Sequence, residues 1–94
     1  MSERDLLADK IEAKIKEVNA EIEKLEAKAL DAEADSKLAM EEKIAELRVK
    51  RDEAKSQLDQ FQQSGNDALE DIERGVKGAW QELTSAIDSA RDRF

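Results

Sequence analysis

Apolar or small residues recur along the first two thirds of the chain at positions 7, 8, 11, 15, 18, 22, 25, 29 and 32. The steps alternate between three and four, which holds a stripe on one face of an α-helix. The stripe continues through Ser36, Met40, Ile44, Leu47, Arg51, Ala54, Leu58 and Phe61. Successive steps of four around 36–44 form a stutter, which relaxes supercoiling and straightens a helix. This pattern predicts one helix over residues 3–62, roughly 90 Å long at 1.5 Å per residue. Ser2 is its N-cap, with Asp5 three residues on as a variant capping box.

The period stops at "QQSGND", residues 62–67. Gly65 suits the left-handed position that ends a helix, and Asn66 or Ser64 can cap the next. A turn over 63–66 therefore leads into a second helix over 67–93. Its apolar face carries Leu69, Ile72, Val76, Trp80, Leu83, Ile87, Ala90 and Phe94. Ala68, Gly75, Ala79 and Ala86 give that face a small edge, where a neighbouring helix can approach closely. Gly78 projects to the polar back, where packing on the long helix does not account for it.

A long and a short helix make an unequal helical hairpin, one all-α domain over 1–94. The short arm covers only about residues 34–62, leaving the stripe from Leu7 to Ala32 bare. An apolar stripe of that length predicts self-association. In the arrangement expected, a coiled-coil homodimer with antiparallel long helices, each end becomes a three-helix bundle with two-fold symmetry. Ala29, Ala32, Ser36 and Ala39 keep the crossing point small. The predicted seam comprises Leu7, Ile11, Ile15, Val18, Ile22, Leu25, Ile44, Leu47, Leu58, Phe61, Leu69, Ile72, Val76, Trp80, Leu83 and Ile87. Arg51 lies on the stripe, its stem expected along the seam and its head in water.

Composition narrows the function classes. Of 94 residues, 43% are charged, the formal net charge is −8, and there is no Pro, Cys or His. Nothing interrupts long helices, and disulfides, thiol nucleophiles, imidazole bases and N/S zinc sites are all excluded. No basic face suits nucleic acid. No phosphate-binding glycine loop or pocket-forming mixture suggests an enzyme or a cofactor. The N-terminus has no secretory pattern and no apolar run spans a membrane, so a cytoplasmic location is expected.

Two further readings carry chemistry. "DAEADSKLAMEE", residues 31–42, places Asp31, Glu33, Asp35 and Glu42 at calcium-loop positions, although Ser36 replaces the loop glycine and the segment is built of helix formers. The amphipathic second helix, with Trp80 and Phe94, has the form of a membrane-surface helix, but its polar face is net acidic. "GVKG", residues 75–78, matches a KH-type loop only literally, since no strands accompany it.

The stretches "KIAELRVKRDEAKSQLDQF" and "GVKGAWQELTSAIDSARDRF" resemble the charged helix and C-terminal end of small bacterial coiled-coil proteins, uncharacterised or described as stress-response proteins. The resemblance implies a bacterial, non-enzymatic protein linked to stress tolerance, and brings no catalytic residues.

Overall fold

The computed structural model describes residues 3–63 and 69–94, and the side chains of 5–63 and 73–94. The chain is all-α: α1 spans Glu3–Asp31, α2 Ala34–Gln63 and α3 Leu69–Arg93. The expected turn residues Gly65 and Asn66, and the Ser2 cap, lie outside the described residues, as do the side chains of Leu69 and Ile72.

One expectation is corrected. The helix foreseen over 3–62 is broken at Ala32 and Glu33, and α1 folds back along α2. The molecule measures 51 × 20 × 18 Å, far short of a single rod of roughly 90 Å. The Ala32 amide donates a long bond to the Ala29 carbonyl (3.3 Å), closing a three-residue turn, and the Glu33 carbonyl accepts the first bond of α2 from Lys37 (2.8 Å). Glu33 is thus the N-cap and Ala34 the first helical residue.

Packing explains the break. Folding back buries Ile11, Ile15, Val18, Ile22 and Leu25 of α1. At about 1.5–3 kcal/mol per large aliphatic side chain, that burial is worth about 10 kcal/mol. The break exchanges about four backbone hydrogen bonds for water contacts, each worth only about 0.5–1.5 kcal/mol net. Burial wins, and helix propensity is overridden.

The helices run up, down and up, with α2 packed along both others. Arg48 bonds Glu26 (2.9 Å) and Arg51 bonds Asn19 (3.1 Å), which sets α1 antiparallel to α2. Lys50 reaches Glu82 (3.3 Å) and Lys43 reaches Ser89 (3.1 Å), which sets α2 antiparallel to α3. The core is continuous through all three helices. The stripe expected to lie bare over Leu7–Ala32 is covered by α2 and α3 of the same chain, so the need for a second copy to cover it is removed.

The paired glycines behave differently. A Cβ on Gly75 would sit 2.6 Å from Gln57 Oε1 on α2, whereas one on Gly78 would meet nothing within 4 Å. Neither glycine has a positive φ. Gly78→Ala should therefore raise stability by about 1 kcal/mol, the helix-interior cost of glycine. Urea denaturation checks this. Gly75→Ala should gain less, because Gln57 has to move.

Candidate functional site: the charged exterior and its apolar openings

The predicted seam residues gather in one interior. Ile11, Ile15, Val18, Ile22, Leu25, Ile44, Leu47, Leu58, Phe61, Val76, Leu83 and Ile87 are buried, and Leu7 and Trp80 pack against them half-buried. Ala54 of α2 and Ala86 and Ala90 of α3 are buried too; on the small edge of α3, Ala86 is buried and Gly75 and Ala79 are half-buried.

Two polar residues that the period did not place inside are buried as well, Glu21 and Lys43. Each lies next to a stripe residue, Ile22 and Ile44, and each is served. Arg91 Nε donates to Glu21 (3.4 Å) while its other arm meets Glu17 (3.1 Å). Lys43 donates to Glu46 (3.0 Å) and to Ser89 Oγ. Among the described residues no buried side-chain nitrogen or oxygen lacks a partner. The hydrogen bond from Lys14 holds the Glu17 carboxyl below its ordinary pKa. Burial opposes this, and the charges of Lys14 and Arg91 reinforce it. The bond to Glu82 and its charge raise Lys50. Arg51 is half-buried, and its guanidinium donates to Asn19 and Asp52.

The calcium-loop carboxylates Asp31, Glu33, Asp35 and Glu42 are all exposed. Asp31 ends α1, Glu33 lies in the interhelix connection, and Asp35 and Glu42 lie on α2. No group of three or more acidic residues gathers to hold a metal ion among the described residues. Residues 75–78 are helical, so they form no loop. The membrane-surface reading needs the apolar face of α3, and Val76, Leu83, Ile87 and Ala90 of that face are spent in the core. None of the described helices is long and apolar enough to cross a membrane.

What opens to solvent is shallow. At one end Leu7, Lys10, Lys77, Trp80 and Gln81 line a concavity of about 230 Å³. Lys14 Nζ lies 5.1 Å from the centre of the Trp80 ring, within range of a cation–π contact. At the other end a groove of about 480 Å³ runs beside Ala29, Leu30, Lys37 and Ile44. Leu6, Leu30, Leu38 and Val49 stand exposed, Leu30 at 80%. These surfaces set apolar contact among charges, and Glu26, Glu41 and Arg48 also line the second groove.

No family model, curated protein or solved structure matches this chain.

Proposed function

We propose that this protein is a non-enzymatic helical interaction protein, self-associating as an antiparallel homodimer and acting through its exterior as an acidic, chaperone-like shield. The observation that carries the reading is the exposure of Leu6, Leu30, Leu38 and Val49 on a chain of net charge −8. Such residues can hold an apolar segment of an unfolding client while the surrounding charge keeps the pair soluble.

The test is a client enzyme that aggregates on heating, followed by light scattering. The expected result is suppressed scattering at a few chains per client, lost when Leu30 and Leu38 are both changed to serine. Unchanged scattering at a tenfold excess of the chain would overturn the shield.

A further inference from the structure

We propose that Ala32–Glu33 is a hinge through which two copies of this chain exchange α1. In the exchanged dimer α1 and α2 of each copy join into one helix, and each helix packs against the same faces as before, now in the other copy. This rests on the self-association proposed above and gives it a mechanism.

Four observations converge on the hinge. First, only Ala32 and Glu33 separate α1 from α2. Neither is glycine or proline, and no described residue has a positive φ, so nothing in the connection forbids helix. Second, the apolar stripe keeps its phase across the break. On a straight helix Leu25, Ala29, Ala32, Ser36, Met40, Ile44 and Leu47 still fall on one face at 100° per residue.

Third, the turn is weakly held. Its backbone has one long bond at the end of α1, from Ala32 to Ala29 (3.3 Å), before α2 begins at the Glu33 carbonyl. Joining the helices restores the regular ladder across it. Against this, Lys28 in the last turn of α1 donates to the Phe94 carbonyl (2.6 Å), a tie that exchange has to re-make in the other copy. Leu30 and Leu38 on either side lie exposed. Fourth, Ala29, Ala32, Ser36 and Ala39 would flank the two-fold axis, small enough for two long helices to cross. Asp31 and Asp35, four apart with like charge, oppose the joining slightly.

Every interhelix contact of α1 is re-made in the exchanged form, including Arg48 to Glu26. The two forms therefore differ chiefly in the hinge and in the concentration needed to pair, which is the condition for exchange of identical elements between copies.

The chain has no cysteine, so the variant Glu26→Cys/Arg48→Cys can be spin-labelled cleanly. It is refolded with excess unlabelled chain at several concentrations, and the species are separated by size exclusion with light scattering. In the folded-back monomer the labels are close and broaden each other's spectra. In the exchanged dimer the same two labels lie on one helix, roughly 33 Å apart over 22 residues, and the close pair disappears on dilution with unlabelled chain. Ala34→Pro is the second variant. Proline is tolerated at the first position of α2 but breaks a continuous helix there. It should weaken dimerisation at least about a hundredfold, with the monomer's helix content unchanged.

A dimer with labels roughly 33 Å apart, depleted by Ala34→Pro, is the expected result. A dimer that keeps the close pair on spin dilution, or that Ala34→Pro leaves unchanged, would overturn the exchange and leave self-association standing. A monomer at every concentration would overturn both.

Discussion

Leu47→Ala is expected to destabilise the protein by about 2–5 kcal/mol, the range for truncating a buried leucine. Leu47 is fully buried in α2, the helix that packs along both others, so the void cannot be closed by moving one neighbour. A domain of this size holds only about 5–14 kcal/mol in total, so the loss takes a large share. The melting midpoint should fall by at least about 8 °C, at roughly 4–8 °C per kcal/mol. Thermal and urea melts by circular dichroism measure it. The internal control is Leu30→Ala, the same chemical change at a residue 80% exposed, expected to stay within about 0.5 kcal/mol. If both variants melt alike, Leu47 does not lie in the core.

The contrast between those two leucines marks what the sequence discloses. Leu47 lies on the three-four period and Leu30 one step off it, and burial follows the period. The register of α3 was equally legible: Val76, Leu83 and Ile87 repeat at helical spacing and are buried. Local periodicity reports which face of a helix turns inward, because each side chain's direction is fixed by the helix itself.

The break at Ala32–Glu33 was not legible. "LDAEADSK" is made of helix formers, and no glycine or proline stops the helix there. The choice between one long helix and two is made by what covers the stripe, which is a property of the whole chain. A faint sign does exist in the acidic run of Asp31, Glu33 and Asp35, since acidic residues favour a helix N-terminus. Glu21 and Lys43 were missed for a related reason. A helix in a bundle buries a wider face than a two-stranded seam, and both residues sit at the edge of that wider face. Each is tolerated because a partner helix reaches it, through Arg91 in one case and Ser89 in the other.

That dependence leads to the second large effect. Arg91→Ala is expected to cost about 1–3 kcal/mol, because it leaves a buried acceptor without its donor. The Glu21 side chain is only 6% exposed and takes a hydrogen bond from Arg91, while Arg91 also grips Glu17. An ordinary surface ion pair would contribute about 0–1 kcal/mol. The excess comes from the buried carboxylate, so Glu21→Leu in the Arg91→Ala background should recover part of the loss. Arg91→Lys should recover less, since a single ammonium cannot reach both acids in one geometry.

The loss should also depend on pH. Glu17 has a folded pKa below its unfolded value, held there by the hydrogen bond from Lys14 and by the charges of Lys14 and Arg91. The stability it contributes is present above the unfolded pKa and lost as pH falls through the folded one. Lys14 supplies the larger part of that shift and remains in Arg91→Ala, so only the smaller Arg91 part is removed. The gap in melting temperature between the natural chain and Arg91→Ala should therefore narrow modestly as pH falls below about 4.3, the ordinary glutamate value. A gap that stays constant from neutral pH to pH 3 would mean that Arg91 acts by packing its stem and not by pairing with the acids of α1.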